Sequence, residues 1–204
     1  MVFLCSPCNP TGELLDGDAV LGLARALSDQ ALVVVDEAYI EYADAPSLAR
    51  SVESTANLVV LRTLSKAHAL AGVRVGCAIA DPRIVAALAR CQAPYPLPID
   101  STRAALDALQ PAALRASRDG IVAVLRERDR VLTALAASPR VRAVHPSHAN
   151  FLLVRFHDAQ SAWTRLLDAG VVVRDMRGDP RLPDALRVTI GSAGDNARML
   201  EALS

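Results

Sequence analysis

Lys66 is the only lysine in the chain; the other 21 of its 22 basic residues are arginine. A guanidinium stays protonated and cannot condense with a carbonyl, whereas an amine can lose its proton and attack one. The segment Thr63-Leu64-Ser65-Lys66-Ala67 is therefore where amine chemistry is available, against the plainer reading of a solvated lysine in an arginine-biased composition. Other chemistry-bearing residues stand in short turn-forming or strand-ending segments: Asn9 in Asn9-Pro10-Thr11-Gly12, and Asp36 and Tyr39 in Asp36-Glu37-Ala38-Tyr39. Thr63, Ser65 and Arg74 bring two hydroxyls and a cation close to the lysine, a donor set suited to a phosphate. Each has a plain alternative: Asn9 starts a turn, Asp36 caps a helix, Tyr39 packs.

The elements around these residues follow from hydrophobic patterning. Val2 to Cys5 is an apolar run followed by turn formers, and Val20 to Leu27 carries helical spacing. Ala31 to Val35 and Leu58 to Leu61 are apolar on both faces, as interior parallel strands are. Ser47 to Ser54 reads as a short helix and Val73 to Ala80 as a further strand. Asp81-Pro82 opens a helix ending near Cys91, and Ala93 to Pro98 is expected to be extended because proline restricts its predecessor. Helices are expected to about Leu109 and from Pro111 to Ala137. Short strands follow at Val141–Val144, Phe151–Phe156, Val171–Val173 and Leu186–Ile190, alternating with helices at Ala159–Ala169 and Asn196–Leu203. This divides the chain into a parallel-sheet portion, residues 1–110, and a smaller α/β portion, residues 111–204.

In an open α/β sheet, ligands gather at the carboxyl ends of the strands. Asn9 follows the first predicted strand, Asp36 ends the second and Lys66 lies just past the third. The chemistry these residues can share is that of pyridoxal 5'-phosphate. A lysine amine condenses with its aldehyde, an aspartate keeps the pyridine nitrogen protonated, and the ring acts as an electron sink. Tyr39 and Asn9 suit the ring oxygen, Thr63, Ser65 and Arg74 the phosphate, and Lys66 suits abstraction of a substrate α-proton.

With these segments the chain resembles the fold-type I, class-II aminotransferases, and among them the histidinol-phosphate aminotransferases. The resemblance extends through Phe3-Leu4-Cys5-Ser6-Pro7, Asp36 to Tyr42, Leu61 to Ala67 with Leu70-Ala71-Gly72, Pro94-Tyr95-Pro96-Leu97, Asn150-Phe151-Leu152 and Leu186 to Gly191. It implies that Lys66 is the Schiff-base lysine, Asp36 the pyridine-nitrogen partner, Asn9 and Tyr39 ring-oxygen ligands, and Thr63, Ser65 and Arg74 the phosphate cup. It also implies that Arg187 grips the substrate carboxylate and that Arg174 is a second substrate-side arginine, with Arg177 and Arg181 close by. The implied fold is α/β: part of a fold-type I large domain with a mostly parallel sheet, plus a small carboxy-terminal α/β domain. The implied reaction moves an amino group between histidinol phosphate and 2-oxoglutarate in histidine biosynthesis, in a homodimer; separately, Cys5, Cys8, Cys77 and Cys91 without an export signal fit a reducing cytoplasm. An aromatic or broad-specificity aminotransferase, a phosphate-substrate decarboxylase relative and a non-catalytic remnant are the alternatives. Cys8 and His68 depart from the family's usual residues. The family's segments before the Asn9 strand have no counterpart here, so the chain reads as a carboxy-terminal portion.

The bulk properties fit a folded enzyme portion. Hydrophobic residues make up 52% of 204 and charged residues 22%, a balance that supports a packed core. Net charge is zero, and Arg126, Arg128 and Arg130 read as a solvated helix face, so nucleic acid is not an expected partner. No apolar run approaches the roughly 20 residues of a bilayer span, so no membrane partner is expected. Cys5-x-x-Cys8 lacks a second ligand pair, so no metal is expected.

Overall fold

The computed structural model describes Met1 to Ser204. The chain forms two compact units, one of Met1–Cys8 with Leu14–Gly120, the other of Asn9–Glu13 with Ile121–Ser204. In the first, the apolar runs become strands β1 (Val2–Cys5), β2 (Val33–Asp36) and β3 (Leu58–Thr63), with β4 (Gly76–Ala80) after them in the order β1-β2-β3-β4. β1, β2 and β3 are parallel, whereas β4 returns antiparallel along β3. Val33, Val35, Leu58 and Val60 are buried on one face against Val20 and Ala24 of helix α1 (Gly17–Ala26). The Asp16 carboxylate caps α1 by accepting from the Ala19 amide at 2.8 Å. Asn57 ties down the other end, donating to the Ala24 and Ala31 carbonyls. Ser47 caps a 3-10 turn over Leu48–Ser54. Helices α2 (Pro82–Cys91), capped by Asp81, and α3 (Ile99–Ala108) complete the unit, and α2 has no fully buried residue.

Helix α4 (Pro111–Ala136) leads into the second unit, which contains β5 (Val141–Val144), β6 (Phe151–Phe156), α5 (Ala159–Asp168), β7 (Arg174–Asp175), β8 (Ala185–Thr189) and α6 (Ala193–Ala202). Its sheet runs β5-β6-β8-β7 and is antiparallel throughout. Strand alternation sorts the two faces. Leu152, Val154, Phe156, Leu186 and Val188 point into a core with Val131, Leu135, Leu166 and Met199 from the helices. Phe151, Leu153, Arg155, Ala185 and Arg187 occupy the other face. Ser192 and Asp195 form a reciprocal cap at the start of α6.

The structure differs from the sequence expectations at several places. The strand expected over Val171–Val173 forms instead at Arg174–Asp175, the residues that meet Arg187 and Leu186. The strand expected from Val73 starts at Gly76, because Ala71–Val73 is a 3-10 turn and Arg74 is left-handed. Ala93–Pro98 is not uniformly extended: Tyr95 has φ 54° despite preceding a proline. The Arg126–Arg130 run is not one solvated face, because residues two apart on a helix point in different directions. Arg128 is half-buried and donates to the Ala149 carbonyl at 3.1 Å; burial lowers its pKa.

Candidate active site

Six of the nine residues expected to form the site lie in the first unit, at or beyond the carboxyl ends of its parallel strands. The register places Cys5 opposite Asp36 and Asp36 opposite Leu61, so all three strands finish on one rim. The Asp36 carboxylate accepts from the Ala38 amide at 2.9 Å, fixing the turn that carries Tyr39. Tyr39 is buried, and Lys66 Nζ lies 5.4 Å from the centre of its ring, within cation–π range. Thr63 and Ser65 lie against each other, their hydroxyl oxygens 2.9 Å apart, and the Ser65 amide donates to Thr63 Oγ1 at 3.1 Å.

The loop from β3 to β4 is held in an uncommon shape. Ala69 (φ 55°) and Arg74 (φ 60°) are both left-handed without being glycine. Such residues cost about 1–2 kcal/mol each and persist where the surroundings over-determine them. The Leu64 amide donates to Val75, the Leu70 amide to Leu64 and the Ala69 amide to Lys66, closing the loop upon itself. Arg74 projects to solvent, with one guanidinium N–H on the Ala71 carbonyl at 3.0 Å. At Gly76 a β-carbon would stand 2.8 Å from the Arg62 carbonyl, so glycine permits β4 to start there.

A second layer beneath these residues was not foreseen. Glu37 is 2% exposed; its carboxylate accepts from the Ser47 hydroxyl and, at 2.8 Å, from the Leu48 amide. Arg62 lies 3.8 Å from Glu37 and 2.6 Å from Glu41. These contacts join the Asp36–Tyr39 turn to the strand that delivers Thr63. The sequence carried one signal of them: an arginine at the end of an apolar strand, which demands a partner if it is to be even partly buried. Burial, then Glu41 and Tyr39, push the Tyr42 phenol above its usual pKa. His68 Nδ1 is buried without a hydrogen-bond partner.

The remaining three expected residues lie in the second unit. Arg187 on β8 donates from Nη1 to Asn9 Oδ1 at 2.6 Å, a contact between residues 178 positions apart. Its guanidinium carbon is 5.0 Å from the Phe151 ring centre, and its Nε is buried without a partner. Arg174 is directly across the ladder from Arg187, so the two arginines share a face. Arg177 and Arg181, the residues most easily confused with Arg174, are engaged elsewhere, by Asp175 and Asp179. The Asn9 loop is itself clasped within this unit. The His148 amide donates to the Gly12 carbonyl at 2.8 Å, and a β-carbon on Gly12 (φ 79°) would collide with Ser147.

A mostly parallel α/β sheet with an aspartate ending one strand and a lysine just past the next defines a class, and the chain belongs to the class I and II aminotransferase family, which it matches over residues 1–204. Among its relatives, the histidinol-phosphate aminotransferase of Stenotrophomonas maltophilia is 54% identical over 204 residues, covering 100% of this chain and 56% of that protein. The chain thus spans about half the length of the curated relatives it matches. The crystal structure of histidinol-phosphate aminotransferase from Sinorhizobium meliloti in complex with pyridoxal-5'-phosphate superposes with a TM-score of 0.88 at 30% identity, over 99% of this chain and 55% of that one. The histidinol-phosphate aminotransferase from Clostridium acetobutylicum shares the fold with a TM-score of 0.91 at 24% identity, over 99% of this chain and 62% of that one.

Proposed function

We propose that the chain carries the lysine side of a pyridoxal-phosphate-dependent aminotransferase acting on L-histidinol phosphate and 2-oxoglutarate. The carrying observation is the chain's sole amine side chain, Lys66, standing over Tyr39 beyond the strand ends that also present Asp36. The donor set fits the cofactor group by group. The amine suits an aldehyde, and an ionised Asp36, which can only accept, suits a protonated ring nitrogen. The Thr63 and Ser65 hydroxyls and the exposed Arg74 guanidinium suit a phosphate. When bound, the cofactor supplies an electron sink for the bond broken at the substrate α-carbon.

The chain's own residues do the rest. Lys66 would hold the aldehyde and carry the α-proton on its amine, and Asp36 would face the ring nitrogen. Tyr39 and Asn9 are assigned to the ring oxygen. Arg187 and Arg174, two like charges directly opposed on one sheet face, are stabilised by an anion between them, and a substrate carboxylate or phosphate meets that need. The high identity to histidinol-phosphate aminotransferases supports the substrate assignment and the place in histidine biosynthesis. A cytoplasmic homodimer that binds only small molecules is part of the same reading.

The test is spectroscopic. With pyridoxal phosphate present, L-histidinol phosphate is expected to change the cofactor spectrum faster than L-phenylalanine at equal concentration. A faster response to phenylalanine would assign an aromatic or broad-specificity enzyme. No response to any amino donor would reject aminotransferase chemistry in this chain.

A further inference from the structure

The lysine loop is held from outside itself by two helix hydroxyls. Ser117, within α4, donates from its hydroxyl to the Ala67 carbonyl at 2.7 Å, fifty residues away. Ser101, in the first turn of α3, donates to the Val73 carbonyl at 2.8 Å. A serine inside a helix ordinarily turns to solvent or bonds back to the carbonyl four residues earlier. These two reach out of their helices, and the carbonyls they take are the one just after Lys66 and the one just before Arg74. Both left-handed residues of the loop, Ala69 and Arg74, fall within or beside the pinned stretch.

We infer that Ser117 and Ser101 are positioning residues: Ser117 sets the reach of the Lys66 amine, and Ser101 sets the backbone from which Arg74 projects. The inference rests on the roles proposed above for Lys66 and Arg74, but the pins are a property of the polypeptide and can be measured without cofactor. Alanine is a better helix former than serine, so Ser117→Ala leaves α4 intact or firmer while removing only the pin. The loss of one neutral hydrogen bond corresponds to about a fivefold shift in an opening equilibrium.

The chain has two amines, Lys66 and the terminus at Met1. Acylation by an N-hydroxysuccinimide ester, followed by peptide mass mapping, therefore reads Lys66 against an internal reference. The ratio of Lys66 to Met1 labelling is expected to rise about fivefold in Ser117→Ala and to stay within about twofold of the parent in Ser117→Thr, which keeps the hydroxyl. For Ser101→Ala, amide hydrogen exchange across Leu70–Gly76 is expected to accelerate about fivefold while exchange in β2 is unchanged. An unchanged labelling ratio in Ser117→Ala with unaltered ellipticity, or a Ser117→Thr ratio matching alanine, would overturn the assignment of Ser117. Unchanged exchange in Ser101→Ala would overturn that of Ser101. Altered labelling in a chain that fails to bind pyridoxal phosphate would leave the pins standing and reject the cofactor reading.

Discussion

The two units divide the chemistry and the packing unequally. The first carries Lys66, Asp36, Tyr39 and the phosphate-type donors, yet its main apolar cluster is small, one sheet face against α1 and Val52, and α2 has no fully buried residue. The second carries the opposed arginines and Asn9, and closes a larger core in which three helices cover a four-stranded antiparallel sheet. In the first unit polar side chains hold the shape: the Glu37–Arg62–Glu41 network, the Asn57 bonds and the serine pins. In the second, apolar burial does so. The expected site residues thus stand on hydrogen-bonded loops and strand ends in one unit, while in the other the two arginines stand on a packed sheet.

That contrast can be broken by substitutions of graded severity. Leu152→Ala, which empties a fully buried position on the core face of β6, is expected to destabilise the second unit by about 3–5 kcal/mol, read by denaturant titration. Glu37→Ala, which strips a buried carboxylate of its bonds to Ser47 and Leu48 and leaves Arg62 with less compensation, is expected to cost the first unit about 2–3 kcal/mol. Val85→Ala on the exposed side of α2 is expected to change stability by less than about 0.5 kcal/mol; a loss as large as that of Leu152→Ala would show that α2 packs in solution.

The smallest effect is electrostatic. Hydrogen bonds from Arg130 and then Asn196 hold Glu127 at about 2, and those from Arg177 and Arg181 hold Asp175 and Asp179 at about 2. A depressed carboxylate pKa contributes stability above its ordinary value near 4 and loses that contribution as pH falls through about 2. All three lie in the second unit at partly exposed positions, so its midpoint is expected to decline only slightly between about pH 5 and pH 2, and less at high salt. A steep loss centred above pH 5 would point to other groups.

Much of this arrangement was legible in the residues. β1, β2 and β3 follow from apolar runs between turn formers, and the single lysine drew attention to its loop. Legibility stopped where pairing decides structure. Val171–Val173 has the composition of a strand, but the ladder forms at Arg174–Asp175, where partners on β8 are available. Tyr95 precedes a proline and still takes positive φ, a conformation that the residue order does not signal. Asn9 was legible as a polar residue after a strand, but its bond to Arg187 joins the extremes of the chain. Nothing in the sequence marks Ser101 and Ser117, because the carbonyls they take become neighbours only in the folded unit.

The central claim is that Lys66 is the amine that holds pyridoxal phosphate. The direct measurement is to mix the chain with pyridoxal phosphate, reduce with borohydride and map the peptides by mass. The added mass is expected on the peptide containing Lys66, with Lys66→Arg unlabelled there and Asp36→Ala labelled less. Label confined to the Met1 amine, or equal labelling of the Lys66 peptide by pyridoxal without phosphate, would contradict the account.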